Sequence, residues 1–299
     1  MKIILFELNE VPWSVLNYYT TKYPKSTLAY VLKNSLKKKT FTEDHTNHLH
    51  PWLTWPSLHR GVVDKKHGVE EFGQVLTEVD KEFPPIWKIL TDNDVNVGVF
   101  GSLHSYNSFP DESKLENYSF YFPDTFAAGS ECFPKKLSLF QDFNLKMVSK
   151  SNMNVSKDID TSSALKFLIS SPFLGVKTNT YIDVLKQVIN EKFDQWKICR
   201  RRTLQVSIAF DIFYRQLVKN KPDFCTFFSN HVASSMHRFW GACFSEEYRE
   251  KFNVHLDSTY LDTFKNEVDF TMSIFDKYLL KLVNFIDKNP EYQLWVSSS

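Results

Sequence analysis

The residues able to do chemistry gather at a few places in this 299-residue chain. Thr54 stands directly before Trp55-Pro56. The residue directly ahead of a proline, here Trp55, is pushed towards extended backbone, and a proline suits the first turn of a helix. The spacing therefore predicts a helix opening at Pro56, with the Thr54 hydroxyl at its mouth. Free backbone N–H groups and the positive dipole end there favour attack on an anionic phosphate or sulfate ester. The bland alternative is that Thr54 caps the helix. Farther on, His231 and His237 straddle an expected strand-to-helix turn, where chain reversal could bring both rings to one metal ion. A structural His237 stacked on Trp240 is the competing reading. His45, His48 and His50 put three imidazoles just upstream of Thr54, which suggests either a metal site or an active-site rim. They lack the i, i+4 spacing of a helical zinc motif, so surface or supporting histidines are the alternative.

The run Thr54-Trp-Pro-Ser-Leu-His-Arg-Gly followed by Lys66-His67-Gly68-Val69 resembles the nucleophile segment of the alkaline-phosphatase superfamily. It is most similar to the type I phosphodiesterase/nucleotide pyrophosphatase branch. The resemblance implies that Thr54 is a metal-activated nucleophile and that His67-Gly68 is scaffold. It also implies a metal-binding residue at the tip of the first strand, where the family has Asp and this chain has Asn9. Glu10, one residue later, could supply the missing charge; both residues could equally just shape the turn. His237 matches a family metal ligand, and Asn230 or His231 stands near the place of its Asp partner. The implied cofactor is a divalent metal, zinc in the first place and manganese as the alternative. The implied substrate is a small-molecule, glycan or lipid phosphate ester, diesters foremost. The resemblance spans the whole chain but only the earlier part of the family domain. After Tyr292–Val296 come Ser297-Ser298-Ser299, where the family has an Asp-His pair. A truncated chain and a naturally shortened relative both fit this, and so does a catalytically degenerate protein that binds a phosphorylated or glycosylated ligand or a partner. A zinc hydrolase built on His45, His48 and His50 is a third reading.

These residues need a scaffold, and the hydrophobic pattern predicts an α/β one: a mostly parallel sheet with flanking helices, a single domain over residues 1–299. Strands are expected at Ile3–Leu8, Val95–Gly101, Pro222–Ser229 and Tyr292–Val296. Each of the first three ends in polar residues, as sites at the carboxyl ends of open α/β sheets do; His104 follows the second. Helices are expected from Trp13, from Ser26 as cap, from Pro84-Pro85, over Tyr181–Leu217 with a break near Arg200–Arg202, and over Tyr260–Ile286. Leu185, Val188, Phe210 and Phe213 read as one buried face of the Tyr181–Leu217 stretch. An irregular insertion is expected over about 106–178.

Composition narrows the function classes. Hydrophobic residues make up 42% and aromatics 16%, including 27 Phe, which demands a packed core. Lys+Arg 36 against Asp+Glu 35 leaves +1, too little field to recruit a nucleic-acid polymer. No apolar run has membrane-spanning length. Four scattered cysteines without CxxC spacing suggest reduced thiols, and a cytoplasmic protein is the expectation.

Overall fold

The computed structural model describes residues 1–41, 50–71, 73–149 and 161–299. In chain order, β1 (Lys2–Leu8) leads to helices α1 (Trp13–Lys22) and α2 (Thr27–Asn34). Next come α3 (Pro51–Arg60), α4 (Asp64–His67), α5 (Thr77–Glu82), α6 (Ile86–Thr91), β2 (Val97–Phe100), α7 (Glu112–Leu115) and β3 (Tyr118–Phe122). Helices α8 (Ser138–Ser149), α9 (Thr161–Leu174), α10 (Thr178–Phe193) and α11 (Arg201–Asn220) precede β4 (Phe224–Ser229). The chain then forms α12 (His231–Cys243), α13 (Ser245–Phe252), α14 (Ser258–Phe264), α15 (Glu267–Lys288) and β5 (Tyr292–Ser297). Among the described residues the strands make one parallel five-stranded sheet, ordered β3-β2-β4-β1-β5.

Two compact units divide the chain. The first comprises Met1–Glu7, Phe41–Phe228 and Glu291–Val296 and holds nearly all of the sheet. Its inner strands are largely apolar, Glu7 and Thr226 aside, because both faces are covered, the usual state of parallel strands. One face presents Phe6, Phe100, Phe122 and Phe227 to Phe210 and Phe213 of α11, all buried. The rings interlock: Phe100 stacks on Phe122 at 4.3 Å, and Phe213 lies 4.8 Å from Phe227. The other face packs Leu5, Val97, Val99, Tyr121 and Phe224 around Trp87 of α6. In register, Val97 pairs with Tyr118 on one side and Phe224 on the other. Gly98 is required here, since a Cβ would run into the Phe120 ring of the neighbouring strand.

The expected insertion at 106–178 contains a strand of that sheet, β3, together with α7, α8 and α9. The helical stretch expected over Tyr181–Leu217 with a break near Arg200–Arg202 is two helices, α10 and α11, separated by a 3-10 turn at Gln195–Arg200. A further difference concerns α10. Leu185 and Val188, read from periodicity as core, are 61% and 44% exposed. The inward side of α10 carries polar groups instead: Thr180 bonds Asp211, Gln187 bonds the Lys197 carbonyl, and Glu191 pairs with Arg201. Helix α9 likewise exposes Leu165, Leu168, Ile169 and Phe173.

The second unit comprises Leu8–Thr40, Ser229–Pro290 and Ser297–Ser299. Helix α12 packs on α15, burying Val232, Met236 and Phe239 from the one and Met272, Phe275 and Leu279 from the other. Helix α2 starts as expected, with Ser26 Oγ accepting from the Ala29 N–H. Asp276 of α15 strengthens that start by accepting from the N–H groups of Thr27 and Leu28, at 3.2 and 2.7 Å. The helix expected over Tyr260–Ile286 is split into α14 and α15. Among the described residues no helix is long and apolar enough to cross a membrane, and the four cysteines form no disulfide.

Candidate functional site

The expected site residues fall into two groups, one in each unit. In the second unit the chain leaves β1 through Asn9, whose N–H donates to the Ser229 carbonyl at the end of β4, at 3.0 Å. The buried Asn9 amide then ties three segments together. Its Nδ2 donates to Asn230 Oδ1 at 2.8 Å and to Glu10 Oε2 at 2.9 Å, while Oδ1 accepts from Ser299 Oγ at 3.3 Å. Ser298 adds a bond from the Val11 N–H to its Oγ, at 2.9 Å.

Glu10 sits with φ +53, in the left-handed region that costs a residue with a Cβ about 1–2 kcal/mol. That backbone holds its carboxylate in place: the same Oε2 that accepts from Asn9 meets His237 Nε2 at 3.1 Å. His237 is 67% exposed, and among the described residues Glu10 is the polar partner of its ring. The hydrogen bond to Glu10 raises the His237 pKa above its usual 6.5, partial burial opposes it, and the carboxylate charge adds to it. The pair's contribution to stability is therefore present at acid pH and fades as the pH rises through the raised pKa. Glu10→Gly is expected to be more stable than Glu10→Ala by about 1 kcal/mol, because both lose the carboxylate but only glycine relieves the backbone. Urea denaturation of the two variants side by side reads the difference.

His231 does not join His237. Both lie within α12, six residues apart, so at 100° per residue their side chains leave the helix about 120° apart and point to different faces. The expected chain reversal falls before His231, not between the two. His231 is buried, with Nδ1 2.6 Å from Ser229 Oγ and Nε2 3.1 Å from the Thr271 carbonyl. A carbonyl only accepts, so Nε2 carries the proton and Nδ1 takes the Ser229 hydroxyl. Burial lowers the pKa of this ring to about 4, against the opposing bond to Thr271. With both nitrogens engaged, His231 is a core residue rather than a ligand.

The metal expectation can be tested on these donors. Zinc sites use three or four protein ligands, and manganese favours several carboxylate oxygens. Here Glu10 and His237 come together, while Asn9 directs its N–H₂ group at Glu10. Among the described residues no group of three or more His, Cys, Asp or Glu side chains is placed to hold a metal ion. The Asn9, Glu10, His231, His237 set does not fit a resident divalent ion. His45 and His48 lie outside the described residues; His50 occupies the N-cap position of α3 without a side-chain capping bond and stacks on Trp52 at 4.6 Å.

In the first unit, α3 begins at Pro51, not at Pro56. Thr54 thus sits inside the first turns rather than at the mouth. Its N–H already donates to the His50 carbonyl at 3.1 Å, and its half-buried Oγ1 lies 3.4 Å from the same oxygen. Proline is tolerated at position 56 for a specific reason. Pro56 has no N–H for the Trp52 carbonyl, which an uninterrupted helix would bond four residues on. His104 Nε2 supplies that donor from the end of β2, at 3.1 Å. His104 is held at φ +62 and is buried, and burial lowers its pKa to about 4. Near the other end of α3, His67 Nδ1 accepts from the Val69 N–H at 3.0 Å, so its Nε2 donates to Ser57 Oγ at 2.9 Å. That tautomer makes His67 a brace for α3, not a base acting on Ser57.

Asn230, Ser298 and Ser299 are the site members that residue-type reasoning underweights. The polar tips of β1, β4 and β5 were the available signal. No protein-family model, curated protein or solved structure matches the chain.

Proposed function

We propose that this protein acts on phosphate esters as a phosphodiesterase-like hydrolase or transferase, with Thr54 of the first unit as the candidate attacking hydroxyl and Glu10–His237 of the second as a separate candidate phosphate-binding pair. The observation that carries the reading is the Glu10–His237 pair, an exposed, proton-rich imidazole fixed by a carboxylate on strained backbone at a strand tip. Strained non-glycine backbone persists where the surrounding structure over-determines it, commonly at functional sites. Protonated His237 can donate to an anionic phosphate oxygen, and Glu10 holds the ring and keeps it protonated nearer neutral pH. The Asn9 and Asn230 amides and the Ser298 and Ser299 hydroxyls around the pair suit a polar, oxygen-rich ligand, such as a small-molecule, glycan or lipid phosphate ester. Thr54 takes its role from the likeness of its segment to the phosphodiesterase nucleophile segment. The zinc or manganese ion which that likeness implies has no ligand set among the described residues, and no step is routed through it. A cytoplasmic setting agrees with the cysteine pattern.

A second reading is favoured by the Thr54 environment, in which the hydroxyl, among the described residues, faces the His50 carbonyl and no base. On this reading the chain is a degenerate relative that binds a phosphorylated or glycosylated ligand without turnover. One experiment separates the two. Chromogenic phosphate monoester, phosphate diester and sulfate ester are offered to wild type, Thr54→Ala and His237→Ala, with and without zinc or manganese. Hydrolysis is expected to fall at least about 100-fold in Thr54→Ala, the scale of losing a nucleophile. Turnover that Thr54→Ala leaves intact overturns the role of Thr54. A folded protein that hydrolyses nothing, yet binds a phosphate ester in a His237-dependent way, establishes the binding reading instead.

A further inference from the structure

Helix α9 turns an apolar side to water. At 100° per residue, Leu165, Leu168, Ile169 and Phe173 fall within an arc of about 140°. All four are more than half exposed, Phe173 by 76%. The opposite side is the packed one: Phe167, Ser171 and Leu174 are buried, and Phe167 lies against Phe140 and Phe143 of α8. The helix carries a single charge, Lys166 at the edge of the exposed arc, and no acid.

Four exposed cations gather where α9 ends. Gly175 follows the helix with φ +104, and a Cβ there would run into the Arg215 side chain of α11. Lys219 stands one turn on from Arg215, on the same helix face. Lys177 lies over the Tyr214 ring at 5.2 Å. Lys136 comes from the 3-10 turn ahead of α8. Phe133, just before that turn, exchanges two backbone bonds with Tyr121 of β3, at 2.7 and 2.8 Å. Helix α11 covers the same strand, with Phe213 6.2 Å from Phe120. Lys136 is thereby brought near α11, and burial, then the charges of Lys219 and Arg215, lower its pKa. Among the described residues none of the four cations has a carboxylate partner. Like charges held together without counter-ions repel, and an anionic partner relieves that cost.

We infer that the exposed side of α9 and the Lys136, Lys177, Arg215, Lys219 cluster at its end dock the protein on an anionic lipid surface. Leu165, Leu168, Ile169 and Phe173 enter the boundary between headgroups and acyl chains, and the cations meet the anionic headgroups. Leucine and phenylalanine on one side with lysine and arginine beside them is the composition of helices that lie in lipid interfaces. Charge selects this occupant. A second copy of the chain brings the same cations and no carboxylate to pair them, whereas an anionic leaflet supplies a negative charge for each. The surface involves neither Thr54 nor the Glu10–His237 pair, so its test stands apart from that of the hydrolysis.

The test is flotation of the full chain with vesicles of phosphatidylcholine and phosphatidylserine, beside vesicles of phosphatidylcholine alone. Wild type is expected to float with the mixed vesicles, less so at high salt, and to stay behind with the neutral ones. Lys136→Gln, Arg215→Gln and Lys219→Gln together should weaken binding about 100-fold, at roughly fivefold for each cation near the surface. Leu168→Gln with Phe173→Gln should weaken it at least about tenfold through lost apolar burial. These side chains are exposed, so circular dichroism and urea midpoints should match wild type. Phe252→Gln, which removes an exposed ring of α13, is expected to bind as wild type does. A wild type that ignores the mixed vesicles overturns the proposal, and so does equal binding to both kinds. Binding that survives either set of changes, or falls equally in Phe252→Gln, overturns the assignment to this face. Displacement by millimolar inorganic phosphate at constant ionic strength would replace the lipid surface with a discrete anion site. Self-association without lipid that Leu168→Gln with Phe173→Gln abolishes would make the occupant a second copy instead.

Discussion

Acidification from pH 7 to pH 4 is expected to remove on the order of 5 kcal/mol of stability, as much as many domains possess. The cause is three buried imidazoles, His67, His104 and His231, whose pKa values burial lowers to about 4. In the unfolded chain each would titrate near 6.5, so between 6.5 and 4 the unfolded state binds more protons than the folded one. Stability is then complete above pH 6.5 and declines on acidification to pH 4, by about 3 kcal/mol per ring. Asp124 acts in the opposite sense. Burial raises its pKa to about 6, so protonation below that pH relieves a buried charge and returns about 3 kcal/mol. The balance remains a large loss. Urea denaturation at pH 7.5, 6, 5 and 4 measures it, and His104→Gln should flatten the profile by about one ring's share, since Gln keeps a donor for Trp52 without titrating. A profile level from pH 7 to pH 4.5 would show that these rings are charged when folded.

The same three histidines show where sequence reasoning stopped. His67 reads as scaffold through its likeness to a family segment, and its tautomer and Ser57 bond describe a brace. The role of His104 needed two facts that sequence keeps apart: that α3 starts five residues ahead of Pro56, and that β2 ends beside the carbonyl the proline orphans. His231 looked like a ligand because residue type and spacing allow it; its burial depends on α15, forty residues on. The strands at both ends of the chain and at β2 and β4 were legible as short apolar runs closed by polar turns. β3 was not, because five aromatic-rich residues between Glu116-Asn117 and Pro123 carry too little pattern to stand out from a loop. Periodicity also found the apolar stripe of α10 but could not say which way it faces, since an amphipathic helix has the same period inside out. At the strand tips, Asn9 and Glu10 were visible as polar residues ending a buried strand. Their link to His237 was not, since it spans 227 positions and depends on β1 lying beside β4 in the sheet order.

Glu7→Ala is expected to cost about 1–3 kcal/mol, the scale of leaving a buried hydrogen-bonding partner unsatisfied. Glu7 points from β1 into the first unit with no exposed surface, and its Oε1 lies 2.7 Å from His59 Nε2 of α3. The ring of His59 is wedged between two indoles, stacked on Trp55 at 5.8 Å and edge-on to Trp87 at 4.8 Å. It cannot swing to another acceptor, so losing Glu7 leaves a desolvated imidazole facing a cavity. The pair is also the polar tie between β1 and the helix that carries Thr54. Its cost is visible in Oε2, which has no hydrogen-bond partner among the described residues. A half-satisfied buried carboxylate contributes little net stability, so an apolar replacement of both partners should be tolerated far better than loss of one. Glu7→Leu with His59→Phe is accordingly expected to recover most of the loss seen in Glu7→Ala, measured by urea denaturation at pH 7.5. A single variant costing under about 1 kcal/mol would mean that the carboxylate is not buried as described. A double variant as unstable as the single would instead make the pair itself, and not its burial, the source of stability. If the double variant is stable yet the hydrolysis assay falls with it, the tie exists to place α3, and its stability cost is borne for Thr54.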